Sequence, residues 1–186
     1  MSAPAIEPNG ERGGVNGADK AAERWIRDSI RPLEDSSVLV SDHNRSVYDY
    51  WTSIRGSRAY PQWRALSLMD IYAAAPYVTV KDVIDGGRDL RNRFWGTALA
   101  ENFGFEASGR SMREIYGDKF DIAAIGYRSA LEHRGPTWVS GKIWAVEGKE
   151  YVDHEAVHLP VGDEDDPATI GHIMSVYAFI SNTEFG

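Results

Sequence analysis

The chain has 186 residues, 42% of them hydrophobic, enough for one ordinary core and too few for two. Its formal charge of -8 and isoelectric point near 5.1, with Lys and Arg scattered, leave no positive field for wrapping nucleic acid or lying on an anionic membrane. Cysteine is absent, which removes thiol nucleophiles, disulfides, iron-sulfur clusters and thiolate-bound zinc.

Residues 1–20 are rich in Gly, Pro, Asn and charge without a hydrophobic period and read as a disordered tail. That segment lacks an export signal, and no run of the chain approaches the roughly 18 to 20 apolar residues of a membrane span, so a cytoplasmic, soluble protein is expected. From Ala21, Ala22, Trp25, Ile26 and Ile30 recur at helical spacing until Pro32, predicting an amphipathic helix and linker over 21–45 outside the main domain. The main domain is expected over 46–181. It opens with a helix from about Ser46 through Val47, Tyr50, Trp51 and Ile54 to Gly56, then a short helix around Leu66–Tyr72 closed by Pro76.

Strands follow. Val78, Val80 and Ile84 alternate with Tyr77, Thr79 and Lys81; Asp85-Gly86-Gly87 supplies a hairpin turn, and 89–95 returns as a second strand. Thr97 is placed to cap a short helix that Gly104 stops, and Ser111 with Glu114 forms a capping box for the next. A longer helix is predicted from Lys119 to His133, with Gly126 marking a close approach by backbone or ligand. Three further strands are predicted over 137–147, 151–161 and 169–181. Both faces of the last are apolar, Met174 and Val176 on one and Ile173 and Tyr177 on the other, as a doubly covered central strand demands.

The ladder Tyr50-Trp51, Arg55-Gly56, Pro61, Pro76, Asp82-Val83, Arg93, Gly96-Thr97, Gly104 and Ser108-Gly109 resembles that of short bacterial proteins made of a single PAS (Per-Arnt-Sim) domain. The segment Trp63–Asp70 departs from that pattern, where the family usually carries an acidic residue and a proline. The resemblance implies an α+β, PAS-like five-stranded antiparallel sheet with helices on one face, here with an N-terminal helical extension. It also implies a cytoplasmic sensor or signalling module, not an enzyme, that binds a small molecule or docks onto a separate signalling protein; a ligand-free interaction adaptor is the alternative. Its working part would be a cavity between helices and sheet. The residues expected to line it are Arg93 as a fixed cation, with Trp95, Phe103, Tyr116, Tyr127 and Ile143. The cofactor, if any, is left unnamed: cysteine-bonded flavin is excluded by composition, noncovalent flavin or haem is not.

Trp138 and Trp144 are expected on the outside of the third strand, covered by the helix carrying Trp25 and Ile30, either from the same subunit or from the mate in a homodimer. One motif points elsewhere. His154-Glu155-Ala156-Val157-His158 matches HExxH, the signature of zinc hydrolases. Pro160 and the surrounding Val152, Val157, Leu159 and Val161 favour a strand, in which the two histidines stand roughly 13 Å apart with the glutamate on the opposite face. No zinc site is expected there.

Overall fold

The computed structural model describes residues 29–143, 145–150 and 152–180. The expected tail, Trp25 with most of its helix, Trp144 and the end of the final strand lie outside the described residues.

Six strands, β1 (Ile30–Pro32), β2 (Val78–Ile84), β3 (Asp89–Trp95), β4 (Thr137–Lys142), β5 (Asp153–Gly162) and β6 (Ile170–Ile180), form one antiparallel sheet in the order β1-β4-β5-β6-β2-β3. Without the three-residue β1, this is the expected order of two strands, helices and three strands with the last in the middle, so the fold is α+β and PAS-like. The central place of β6 follows from its sequence. Met174 and Val176 enter one apolar cluster while Ile173 and Tyr177 enter clusters on the opposite face.

The sheet carries helices on both faces, not one. On the outer face lies α1 (Asp42–Arg55), capped by the Ser41 hydroxyl, which accepts from the Asn44 N–H, and stopped at Gly56, whose φ is +57°. It therefore starts four residues earlier than Ser46. Val47 and Trp51, one turn apart, press on Val78, Val157, Leu159, Met174 and Val176. The Trp51 indole donates to the Pro160 carbonyl at 2.8 Å. Between α1 and β2, a succession of 3₁₀ turns (Trp63–Ala65, Leu68–Ile71, Ala75–Tyr77) replaces the expected short helix.

The inner face is covered by α2 (Thr97–Phe103), α3 (Met112–Tyr116), α4 (Phe120–Ala123) and α5 (Ile125–His133). Gly96, not Thr97, occupies the cap position of α2; a Cβ there would stand 2.2 Å from the Pro76 carbonyl oxygen, so only glycine lets the two segments cross. The Gly104 stop and the Ser111–Glu114 capping box are both present. The long helix expected over 119–133 is instead broken at Ala124 into α4 and α5. The break lets α5 lie against β5, where a Cβ on Gly126 would stand 2.7 Å from His158 Nε2.

Ile30 belongs to a strand and not to the N-terminal helix: it pairs with Val139, and Arg31 with Trp138. Trp138 faces outward, as expected, and the helix segment expected to cover it lies outside the described residues. The Arg31 guanidinium sits 4.4 Å above the Trp138 ring, and the Trp138 indole donates to Glu155 at 3.1 Å. Among the described residues, no helix is long and apolar enough to cross a membrane.

Candidate functional site

Helices α2 to α5 and the inner face of the sheet line a half-open cavity of about 90 Å³. Four of the six expected lining residues, Phe103, Tyr116, Tyr127 and Ile143, form its wall. Trp95 is buried one layer away, its ring 5.4 Å from that of Phe103. Ile30, expected at an interface, contributes to the same wall through β1.

Arg93 is not with them. A bulge between Val80 and Lys81 breaks the β2–β3 register, so Trp95 pairs with Thr79 and Phe94 with Val80, but Asn92 pairs with Lys81 and Arg93 is skipped. Strict alternation back from Trp95 would have aimed Arg93 inward; the extra residue turns it to the outer surface. There its Nε donates to Asp82 at 2.7 Å, its Nη1 lies 3.5 Å from Glu164, and its guanidinium stacks on Trp63 at 4.9 Å. Asp82 also accepts from His172 Nδ1 at 2.8 Å.

The buried cation is Lys81, whose side of β2 sequence reasoning had set opposite the apolar residues. It is 2% exposed, donates to Asn92 Oδ1 and lies 3.4 Å from Thr79 Oγ1. Its ammonium is 5.0 Å from the Trp95 ring centre and 5.3 Å from that of Tyr127. Burial lowers its pKa to about 7. Also against Tyr127 is His158, whose ring packs at a 32° tilt on the tyrosine at 4.0 Å and whose Nδ1 meets Ser175 Oγ at 2.8 Å. Burial, then the neighbouring Lys81 charge, pushes the His158 pKa down to about 3, so the imidazole is neutral.

The Tyr127 and Tyr177 hydroxyls share a hydrogen bond of 2.5 Å. Burial raises both phenols, Tyr177 to about 12, so both keep their protons. His154 Nδ1 donates to the Gly141 carbonyl at 2.6 Å, and burial lowers its pKa too. A line of neutral hydrogen-bonding groups on β5 and β6 thus faces a chamber whose wall is mostly apolar, with Lys142, paired to Asp153 at 3.2 Å, as its charged member. Tyr177 and Lys81 could have been found from the sequence by the same alternation that placed Ile173 and set Thr79 opposite Val78; Asn92 could not, because the bulge in β3 decides its side.

The HExxH match lies on a strand, as expected. His154 and His158 share the inner face, and Glu155 points to the outer one. Its carboxylate, 1% exposed, accepts from Val40 N at 3.0 Å, Ser41 N at 3.3 Å, Asn44 Nδ2 at 2.9 Å and Trp138 Nε1. It anchors the start of α1, where the backbone N–H groups lack helical partners. A glutamate so occupied has no access to a water beside the histidines.

No protein-family model matches this chain, and no curated protein matches it. Among solved structures, it is similar to a sensory box sensor histidine kinase from Vibrio cholerae, with 14% identity over 61% of this chain and 90% of that one, at a TM-score of 0.43. An RNA-binding Light-Oxygen-Voltage receptor shares 17% identity over 80% of this chain and 37% of its own, at 0.43, so this chain spans well under half of that receptor. The light state of the blue-light photoreceptor Aureochrome1 LOV shares 14% identity over 63% and 91% of the respective chains, at 0.42.

Proposed function

We propose that the protein is a PAS-type sensor or signalling module that takes a small molecule into the inner cavity and reports its presence through α1, without catalysis. The observation that carries this reading is the half-open chamber of about 90 Å³ lined by the Tyr127–Tyr177 pair and two neutral histidines. Ligand sites are concave, mostly apolar and fitted with a few convergent polar groups, and the chamber has that make-up on a small scale. Its size favours a compact ligand over a flavin or haem.

The route outward runs through β6 and β5. Tyr177 places its hydroxyl at the chamber and its carbonyl under His43 of α1, which donates to it at 2.9 Å. His154 and Glu155 are chain neighbours, one facing the chamber and the other holding the start of α1. A shift of either strand by a fraction of an ångström on occupancy is felt by the outer helix, since packed interfaces switch between discrete arrangements.

Native mass spectrometry of gently purified protein, paired with hydrogen exchange over residues 40–55, tests the reading. A stoichiometric small compound whose removal changes exchange in α1 supports it. A chamber that stays empty with every compound tried, together with specific binding of a protein partner, replaces it with the ligand-free adaptor.

A further inference from the structure

Among the described residues, the buried Lys81 has no carboxylate as a hydrogen-bond or ion-pair partner. Its hydrogen-bond partners, Asn92 and Thr79, are neutral, and around it are also the Trp95 and Tyr127 rings and the neutral His158. Carboxylates on the neighbouring elements are engaged elsewhere. Asp82 pairs with Arg93 and His172 on the outer face, Glu155 holds α1, Asp153 pairs with Lys142 at 3.2 Å, and Glu114 closes the capping box of α3. An ammonium in such a place is costly unless it loses its proton or an anion reaches it.

The chamber beside it offers a donor for that anion. Two phenol hydroxyls sharing one hydrogen bond use one of their two protons between them, leaving the other for an acceptor, and both residues line the cavity. Most of the remaining wall, including Phe103, Met112, Val139 and Ile143, suits an alkyl group, and its one cation among the described residues, Lys142, is paired with Asp153. Size narrows the choice. An apolar cavity of about 150 Å³ accommodates the six carbons of benzene, so one of about 90 Å³ takes a ligand of about four non-hydrogen atoms.

We infer that the ligand is a short aliphatic carboxylate, its oxygens accepting from the Tyr127–Tyr177 pair and its charge balanced by Lys81 behind the Tyr127 ring. This rests on the reading of the chamber as the sensing site and adds the ligand class. Phosphate-like anions are disfavoured because the apolar wall cannot satisfy their remaining oxygens.

Calorimetric titration of the full chain with acetate and with its neutral isostere acetamide, at pH 7, is the test. Acetate is expected to bind, and acetamide to bind at least about tenfold more weakly. Lys81→Met should cost acetate about tenfold or more in affinity while leaving the circular dichroism spectrum unchanged. Equal affinity for the two probes, or full affinity in a folded Lys81→Met protein, overturns the assignment. If neither probe binds but xenon enters the chamber under pressure, the carboxylate is wrong and the cavity reading stands. Exclusion of xenon as well removes both.

Discussion

His43 Nε2 donates to the main-chain carbonyl of Tyr177 at 2.9 Å, although the tyrosine side chain projects to the opposite face of the sheet, where its hydroxyl meets Tyr127. One residue of the central strand therefore touches both the outer helix and the inner chamber. Replacing His43 with Ala removes one hydrogen bond and the stacking of its ring on Tyr77 at 4.4 Å. The expected cost is about 1 kcal/mol in urea unfolding, with faster hydrogen exchange confined to the first turn of α1. Exchange that spreads evenly over the sheet would show that the contact does not act on the helix alone.

Glu155 is the stronger anchor. Alanine there leaves the Val40 and Ser41 N–H groups, the Asn44 amide and the Trp138 indole without their shared acceptor. A loss of about 3 kcal/mol is expected in chemical denaturation, and glutamine, which keeps one acceptor oxygen, should recover part of it. If alanine and glutamine are equally mild, the carboxylate is not what holds the helix.

The pH dependence of stability has a definite sign. Lys81 titrates near 7 when folded and at its ordinary 10.5 when unfolded, so between those values the unfolded chain binds more protons and stability rises with pH. Lys81→Met should flatten that part of the profile and be more stable than the parent at pH 6. His158, near 3 folded against 6.5 unfolded, adds a further rise between those values, which His158→Gln should remove. Thermal melts from pH 4 to 10 on the three proteins check both slopes.

Gly126→Ala tests the closeness of α5 to β5. Alanine is better than glycine by about 1 kcal/mol in an open helix, but here its methyl would stand 2.7 Å from His158 Nε2 and 2.8 Å from Val139 Cγ2. Net destabilisation of about 1–3 kcal/mol is expected in the melting midpoint. A more stable variant would mean that the helix can lift off the strand.

Arg93→Ala should cost less than about 1 kcal/mol, since its partners are shared with solvent, and should leave ligand affinity unaltered. A tenfold loss of affinity would return Arg93 to the site.

The features set by neighbours in sequence were legible: the Gly104 stop, the Ser111–Glu114 box, the two apolar faces of β6 and the strand that separates the HExxH histidines from their glutamate. The aromatic side of the chamber was legible too, because Phe103, Tyr116 and Tyr127 sit on helices whose apolar stripes can face only the sheet. The polar side was not. A single bulged residue exchanges the faces of everything beyond it, which put Arg93 outside and brought Asn92 next to the inward Lys81. The side chosen by α1 was hidden as well, since an amphipathic helix states that it needs a sheet and not which surface it will take. Nor does a period of two reveal itself in three residues such as Ile30–Pro32.

That small strand has a further effect on how the protein behaves among its own copies. The outer margin of β4 would otherwise present a run of bare amides ready to recruit a foreign strand. Ile30–Pro32 occupies the Thr137–Val139 half of that margin and finishes in an imino acid with no hydrogen to offer, so a foreign strand finds fewer free donors there.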